Sequence, residues 1–319
     1  MSSVAYLAEQ LEADLYGYLP ELYKNPLAKL AVMVSAVIEA RSCNLMEVAA
    51  RLPIKTQKIN SRYAWIERFL SADTIDDRDA MEPFADEVLA AVMARGETIV
   101  ISLDQTCVNN THGVAMMSVR VGERALPLCW TVKACKGNLP IKEYTPLLAW
   151  LKTMIPYQAK VLVLADRFFG TPELIRCCQQ YDFAYRIRLK GNLTLTHEDG
   201  GEMRVDEMPT LHPQGVCGVR LAGSDVAINV GFVHDTGHPE PWFIAMNAMP
   251  SRTTVLDYGL RWGIETLFAD YKSRGFGLES THLQRPDRLS RLILVLSIGL
   301  YWATANGRQL QKKHRRKAA

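Results

Sequence analysis

The sequence predicts a mixed α/β protein with an all-helical N-terminal part, a sheet-based core and a β-rich insertion in that core. Residues 1–95 show only helical periodicity, whereas after Gly96 short runs of β-branched residues alternate with helical segments. Residues 192–250 differ again, with scattered glycines and short strand-like runs. With 319 residues, 48% of them hydrophobic, the chain is long enough for a full core with smaller attached domains.

The N-terminal part contains several predicted helices. Residues 26–41 are largely apolar, and Asn44 is placed to cap a helix over Leu45–Arg51, which Pro53 ends. A further helix over Thr56–Leu70 carries an apolar stripe made of Ile59, Tyr63, Ile66 and Leu70.

A second face of that helix is basic. Lys58 and Arg62 lie on it and Lys55 just precedes it. Helix, tight break and basic helix resemble a helix-turn-helix DNA reader, although an ordinary helical bundle with a solvated basic face has the same pattern. An acidic segment containing Asp73, Asp76, Asp77 and Asp79 is expected to be a linker to the core.

The core begins with strands. Thr98–Leu103 is an apolar, β-branched run that ends at Asp104, and a hairpin turning at Gly122-Glu123 follows it. The expected later elements are a helix over Ile141–Met154, a strand over Lys160–Ala165 ending at Asp166, a helix opened by Pro172 and a strand over Phe183–Leu189. Three antiparallel strands followed by alternating helix and strand describe a ribonuclease-H-like core. The insertion then spans residues 192–250, with strands over Val226–Val233 and Trp242–Met246.

Asp104 and Asp166 are candidate site residues because carboxylates at the carboxyl ends of neighbouring strands meet at one edge of a sheet. A third carboxylate, Glu265, lies on a helix predicted over Arg252–Arg274. On that helix Tyr258, Arg261, Glu265 and Lys272 project within about 60° of each other at about 100° per residue. One helix therefore aims a phenol, a guanidinium, a carboxylate and an ammonium in one direction.

These residue types suit phosphodiester chemistry. Three carboxylates suit Mg²⁺, with Mn²⁺ as a substitute, because these ions prefer oxygen ligands. Two such ions about 4 Å apart can activate an attacking oxygen and stabilise a leaving oxygen. Arg261 and Lys272 would neutralise the phosphates of the substrate, which predicts a nucleic-acid-cleaving enzyme.

The spacing Tyr258-x2-Arg261-x3-Glu265-x6-Lys272 resembles the Y-R-E-K signature of the insertion-sequence-four group of bacterial DDE transposases. Asp104-Gln105-Thr106 resembles the first-aspartate motif of that group, and the run from Asp166 to Gly170 resembles the second. The resemblance covers about residues 99–280 and is looser over residues 1–95.

The resemblance implies a function. Asp104, Asp166 and Glu265 would be catalytic and bind two Mg²⁺ ions, while Tyr258, Arg261 and Lys272 would hold DNA phosphates. The expected reaction is hydrolytic nicking at the ends of an insertion sequence, passage through a DNA hairpin, and strand transfer into target DNA. In relatives of this group an insertion aromatic stacks on a flipped base, which makes Trp242 a weaker candidate for DNA binding.

The resemblance also suggests an organisation. Residues 1–95 would bind the transposon end, 96–191 and 251–319 would form the two parts of the catalytic core, and 192–250 the insertion. Relatives act as homodimers on double-stranded DNA. This chain is short for the group, so its dimer interface is unassigned.

Composition fits a DNA-acting protein. The net charge is +3, but from Ser251 onward thirteen Lys/Arg stand against five Asp/Glu, ending in a basic tail of Lys312, Lys313, Arg315, Arg316 and Lys317. Seven cysteines without a C-x-x-C pair indicate reduced thiols. The longest apolar runs, such as Leu292–Ala303, are shorter than a bilayer span, and no signal peptide is evident. We therefore expect no membrane partner and a location in the bacterial cytoplasm, with nucleoid association through DNA.

Two other functions remain open at this point. Another ribonuclease-H-like metal nuclease would use the same carboxylates without needing the Tyr–Arg–Glu–Lys spacing. A transposase-derived DNA-binding protein that no longer cuts would bind DNA without metal-dependent cleavage, although all three carboxylates are present.

Overall fold

The computed structural model describes residues 2–221, 223–234 and 240–318, with the backbone alone for 306–318. The described residues up to 95 form helices and their connections, as predicted, and a mixed sheet with flanking helices follows. The helices are α1 (Ser3–Tyr18), α2 (Lys24–Ala40), α3 (Leu45–Arg51), α4 (Ile59–Ser71), α5 (Asp77–Met93), α6 (Thr145–Met154), α7 (Pro172–Gln180), α8 (Met208–Leu211), α9 (Arg252–Leu256), α10 (Trp262–Tyr271) and α11 (Pro286–Ala318). The strands are β1 (Ile99–Val108), β2 (His112–Val121), β3 (Arg124–Ala134), β4 (Val161–Ala165), β5 (Ala184–Arg188), β6 (Thr194–Thr196), β7 (Glu202–Arg204), β8 (Val216–Leu221), β9 (Ala227–Val233) and β10 (Trp242–Met246).

The first five strands form one half of the sheet, in the order β3-β2-β1-β4-β5. β2 pairs antiparallel with β1 and with β3, while β4 pairs parallel with both β1 and β5. The β2–β3 hairpin turns at Gly122-Glu123, as predicted, with Gly122 at a φ of +66° that favours glycine. Helices α6 and α7 connect the parallel strands, as such crossovers require.

The strands of residues 192–250, the segment predicted as an insertion, continue the same sheet. β10 pairs antiparallel with β5, and the sheet goes on through β9, β8, β6 and β7. The chain therefore leaves the core after β5 and returns at β10, directly beside the strand it left. The short strands predicted over 226–233 and 242–246 are β9 and β10.

The prediction that β1 ends at Asp104 is wrong. β1 runs on to Val108 because its antiparallel pairing with β2 continues to Val108 opposite His112. Its parallel pairing with β4, in contrast, ends at Leu103 opposite Ala165. Asp104 thus lies where β4 leaves β1, and Asp166 follows the end of β4.

The N-terminal helices share a hydrophobic core with the C-terminal part of the chain. This core joins buried side chains of α2 and α4 to those of α10, α11 and the β2–β3 hairpin, among them Leu30, Leu70, Phe268, Ile293 and Trp130. The indole N–H of Trp130 on β3 donates to Ser290 Oγ on α11 at 2.9 Å. Helix α11 is therefore the element that joins the helical part to the sheet.

The acidic segment does not act as a linker. The Asp76 carboxylate caps α5 by accepting hydrogen bonds from the backbone N–H groups of Arg78 at 2.8 Å and Asp79 at 3.1 Å. Asp77 accepts a hydrogen bond from Arg291 Nε on α11 at 2.6 Å. Negative side chains at a helix N-terminus pair with its free N–H groups and its dipole, so these residues begin a helix that packs on the sheet.

Helix α11 is longer than its apolar sequence run suggested. Its stretch Pro286–Ala305, with a mean hydropathy of 1.2, is long and apolar enough by composition to cross a membrane, and is the one such stretch in the described ranges. More than half of it is buried inside the protein. That burial is typical of the core helix of a folded domain. The basic tail residues Lys312, Lys313, Arg315, Arg316 and Lys317 have side chains outside the described residues.

Candidate active site

Three carboxylates from distant parts of the chain line one open cavity. Asp104 comes from β1, Asp166 from the turn after β4, and Glu265 from the first turn of α10. The cavity has a volume of about 440 Å³, and Arg261 and Lys272 line it as well. Five of the six residues predicted for the core of the site therefore lie around one space.

The turn after β4 is shaped by its own sequence. Asp166 Oδ1 accepts a hydrogen bond from the backbone N–H of Phe168 at 2.8 Å, which turns the chain. Phe169 is buried and packs edge-on against Tyr144, with ring centroids 4.7 Å apart. A Cβ on Gly170 would lie 2.9 Å from the carbonyl oxygen of Arg188, so this position needs glycine. Because Phe169 and Gly170 are fixed by packing, the Asp166 carboxylate is held at the cavity.

Asp104 is a largely enclosed carboxylate. Its side chain is 13% exposed, and Oδ1 accepts a hydrogen bond from the backbone N–H of Gln105 at 2.8 Å. Burial raises the pKa of Asp104 to about 6, although Arg261 and the Gln105 N–H act in the opposite direction. The Gln105 side chain ties the next loop to the site by accepting from Leu139 N at 2.6 Å and donating to the Gly137 carbonyl at 2.9 Å.

Arg261 bridges two of the carboxylates. Its Nη1 donates to Asp104 Oδ2 at 2.6 Å, and its Nη2 donates to Glu265 Oε1 at 2.6 Å. Burial alone lowers the pKa of Arg261, but the negative charges of Asp104 and Glu265 outweigh it and raise that pKa above its usual value. The guanidinium therefore stays protonated and neutralises the site.

The donor set has the chemistry of a divalent-cation site. Three carboxylates offer the oxygen ligands that Mg²⁺ and Mn²⁺ prefer. In the described ranges, however, no three His, Cys, Asp or Glu side chains stand close enough together to hold one metal ion. The guanidinium of Arg261 lies between Asp104 and Glu265. The residue types thus fit a divalent metal ion, and in this structure the Arg261 guanidinium lies between two of the three carboxylates.

The predicted continuous helix over Arg252–Arg274 is wrong. The segment consists of α9, a 3₁₀ turn over Asp257–Arg261, and α10. The 3₁₀ turn winds more tightly than an α-helix and so interrupts the predicted helix. Tyr258 consequently turns inward and is 6% exposed. Burial raises its pKa.

The Tyr258 ring lies next to the Arg261 guanidinium, and the Trp242 ring packs against Tyr258. The Trp242 ring, half-buried on β10, packs edge-on against Tyr258 at 5.1 Å between centroids. The guanidinium carbon of Arg261 lies 5.9 Å from the centre of the Tyr258 ring. Through these contacts Trp242 packs against Tyr258, the residue next to the Arg261 guanidinium. Its stacking on a DNA base stays a prediction.

Two arginines of the sheet, the buried Arg186 and the half-buried Arg120, bind the interrupted helical segment. Arg186 on β5 donates through Nε to the Thr254 carbonyl at 2.7 Å and through Nη2 to Asp257 Oδ2 at 3.1 Å. Arg120 on β2 donates through Nη1 to the Leu260 carbonyl at 3.0 Å. These three bonds end in α9 and in the 3₁₀ turn that leads to Arg261, so the sheet sets the position of the guanidinium.

Lys272 lies at the other end of α10, where the helix stops. Its Nζ pairs with Glu279 Oε1 at 2.9 Å. The turn that follows is tight, since a Cβ on Gly275 would lie 2.1 Å from the carbonyl oxygen of Asp270. Lys272 therefore faces the cavity from a rigid turn and already has an acidic partner.

Comparison with protein families gives a match over residues 140–302, to the model described as the transposase DDE domain. The chain belongs to the DDE transposase family. The match contains Asp166 and the whole segment from Tyr258 to Lys272, and it begins after Asp104. Comparison with functionally curated proteins finds no match. The family places this transposase among enzymes that cut and join DNA strands.

The N-terminal basic residues of the transposase divide into two kinds. Lys55 and Lys58 are exposed at the start of α4. Arg62 is half-buried, and its guanidinium donates to the backbone carbonyls of Thr56 at 2.7 Å and Ala50 at 3.1 Å. Arg62 thus binds the carbonyl end of α3 and the loop before α4. In this structure its contacts stabilise the packing of these two helices.

Sequence reasoning missed several side chains around the site of the transposase. Arg167 and Arg188 both donate to Glu240 Oε2, at 3.0 Å and 3.2 Å. Trp262 begins α10 next to Arg261 and is 60% exposed, unusually high for so large an apolar side chain. Arg167 follows Asp166 directly and Trp262 lies inside the signature spacing, so position in the sequence was the signal that could have found them.

Proposed function

We propose that this transposase cuts the DNA ends of a bacterial insertion sequence and joins them to target DNA, using divalent cations held by Asp104, Asp166 and Glu265. One observation carries the proposal: these three carboxylates, from segments far apart in sequence, line one cavity together with Arg261 and Lys272. A purely structural role would not explain three acidic side chains around an open, polar space.

The signature spacing supports membership of the insertion-sequence-four group. Beyond the family, the strand order β3-β2-β1-β4-β5, with β2 antiparallel and β4 parallel to β1, supports a ribonuclease-H-like core. The helical part over 1–95 would bind the transposon end, with Lys55 and Lys58 toward the DNA, and 192–250 would be the insertion. We propose that it acts as a homodimer on DNA in the bacterial cytoplasm and nucleoid.

The roles of the side chains follow from their chemistry. Mg²⁺ or Mn²⁺, bound as two ions by the three carboxylates, would supply activation of the attacking oxygen and stabilisation of the leaving one. Arg261, with its planar fork, and Lys272 would bind phosphates of the DNA end. Tyr258 and Trp242 would hold the Arg261 side chain in position beside the carboxylates. Cut-and-paste transposition through a DNA hairpin is the sequence of steps that the resemblance supports.

The test is cleavage of a plasmid that carries the terminal repeats of the element encoding the chain, in the presence of Mg²⁺. Glu265→Gln keeps the shape of the side chain and removes its charge, so we expect cleavage at the element boundary to fall by more than about 100-fold. The matched control is Glu123→Gln, at the tip of the β2–β3 hairpin, where the side chain is 98% exposed. The control is expected to cleave like the unmodified protein.

Three outcomes separate the candidate functions. Boundary cleavage followed by joining of a 3′-hydroxyl end to target DNA supports a transposase. Cleavage without joining indicates a nuclease of the same fold. DNA binding without cleavage by the unmodified protein indicates a DNA-binding derivative, and equal cleavage by Glu265→Gln and the control contradicts the assignment of Glu265.

A further inference from the structure

Arg261 occupies an unusual position for a residue expected to bind DNA phosphates. Its two terminal nitrogens are both engaged by carboxylates of the proposed metal site, each at 2.6 Å. The side chain is 16% exposed, so this is an enclosed ion pair and not a passing surface contact. The positively charged guanidinium of Arg261 thus lies where the proposed metal site would hold a divalent cation.

We propose that Arg261 is a latch that couples DNA binding to metal binding at the same site. With the latch closed, Arg261 neutralises Asp104 and Glu265 and competes with divalent cations. With the latch open, the guanidinium binds a DNA phosphate, and the two carboxylates become free to hold metal together with Asp166. This inference rests on the proposed metal-dependent function and specifies how that function is regulated.

The exchange is chemically balanced because a phosphate can replace a carboxylate as the partner of arginine. A carboxylate is planar and a phosphate is tetrahedral, but each presents two oxygens that the guanidinium fork can bind through two parallel N–H groups. The two sides of the bridge differ in exposure, with Asp104 13% and Glu265 42% exposed. A phosphate arriving from the cavity would therefore displace Glu265 first, where water already weakens the pair.

The second cation of the cavity shows the same arrangement. Lys272 pairs with Glu279 at 2.9 Å, and the Glu279 side chain is 58% exposed. Both cations that face the cavity thus have acidic partners that a phosphate can replace. The Arg120 bond to the Leu260 carbonyl fixes the backbone just before Arg261. The exchange therefore needs rotation of the Arg261 side chain only, which moves its guanidinium from its position 5.9 Å from the centre of the Tyr258 ring.

Coupling of this kind has a measurable consequence. If DNA opens the latch, DNA raises the affinity for metal, and by thermodynamic reciprocity metal raises the affinity for DNA by the same factor. Without DNA, the metal must break two charge-assisted hydrogen bonds to enter. We expect this to lower the affinity of the full chain for Mn²⁺ by about 10- to 100-fold.

The experiment measures Mn²⁺ binding to the full-length protein by electron paramagnetic resonance, which reports free Mn²⁺ directly and requires no activity. The variants are Arg261→Gln and Arg261→Lys. The matched control is Arg167→Gln, which removes an arginine charge next to Asp166 that pairs with Glu240 and not with the three carboxylates. Circular dichroism checks that each variant is folded, and the lysine variant serves if the glutamine variant is not.

The expected result is tighter Mn²⁺ binding by Arg261→Gln than by the unmodified protein, by about 10-fold or more, with a smaller gain for Arg261→Lys and almost none for Arg167→Gln. A blunt-ended DNA duplex, corrected for its own Mn²⁺ binding, should raise the affinity of the unmodified protein and leave Arg261→Gln nearly unchanged.

Equal Mn²⁺ affinities of the unmodified protein and Arg261→Gln, both lost in Glu265→Gln, would overturn the latch and leave the metal site intact. A gain in Arg167→Gln as large as in Arg261→Gln would overturn it too, because general charge would then explain the effect. Absence of Mn²⁺ binding in every variant, with and without DNA, would overturn the latch together with the proposed metal-dependent function.

Discussion

Replacing Arg186 by methionine tests whether the sheet holds the segment before Arg261 in place. The Arg186 residue is 6% exposed, and it donates to the carbonyls of Thr254 at 2.7 Å and Tyr185 at 2.9 Å and to the Asp257 carboxylate at 3.1 Å. Methionine fills a similar volume but donates no hydrogen bond. Each buried acceptor left without a donor costs about 1–3 kcal/mol, so the two carbonyls together cost about 2–6 kcal/mol. The Asp257 side chain is 35% exposed, so the loss of its ion pair adds less than the loss of a fully buried pair would.

We therefore expect Arg186→Met to lower the free energy of unfolding by about 3–5 kcal/mol, measured by urea denaturation. The matched control is Arg176→Met on α7, whose pair with Asp225 has side chains 55% and 85% exposed. Such a surface pair contributes about 0–1 kcal/mol. A loss below about 1 kcal/mol for Arg186→Met, equal to the control, would refute the anchoring role.

Further predictions concern the pH dependence, one turn and the N-terminal helices. Because burial raises the pKa of Asp104 to about 6, the folded chain keeps a proton between about pH 4 and 6 that the unfolded chain has lost, and stability falls as pH rises through that window. Urea unfolding at both ends of the window should show this fall, of about 2–3 kcal/mol, in the unmodified protein but not in Asp104→Asn, and equal slopes would contradict it. Gly275→Ala should unfold at a temperature several degrees lower, since its Cβ would lie 2.1 Å from the Asp270 carbonyl, and an unchanged melting temperature would show that the turn can adjust. Arg62→Gln should lower stability by about 1–2 kcal/mol in urea unfolding, whereas Lys58→Gln should weaken DNA binding in a salt titration and leave stability within about 0.5 kcal/mol, with equal stability losses the contradicting result.

Elements whose signals are local could be predicted from the sequence. The β2–β3 hairpin follows from alternating apolar residues around Gly122, and α3 from the cap at Asn44, whose Oδ1 accepts from Met46 N at 3.0 Å. The spacing of Arg261 and Glu265 placed them on one side of a helical segment, and the structure brings both to the cavity. Local period and capping are sufficient in such cases because each contact spans a few residues.

Features that depend on distant partners could not be predicted. Nothing near Asp104 in sequence indicates that β2 extends β1 to Val108 while β4 stops at Ala165. The break in the helix before Arg261 depends on bonds from Arg120 and Arg186, which lie far away in the sequence. Arg62 looked like a DNA contact because its use as a donor to α3 is visible only after the helices pack.

The shared core of the N-terminal helices and α11 has a consequence for the order of events during synthesis. Residues such as Leu30 and Leu70 leave the ribosome long before Ile293 and Leu296, against which their cluster is completed. Until α11 emerges, the first helices carry uncovered apolar surface, which is the kind of surface that chaperones bind. Assembly of this core thus waits for α11, so a polypeptide interrupted before α11 leaves the hydrophobic core of its N-terminal helices unfinished.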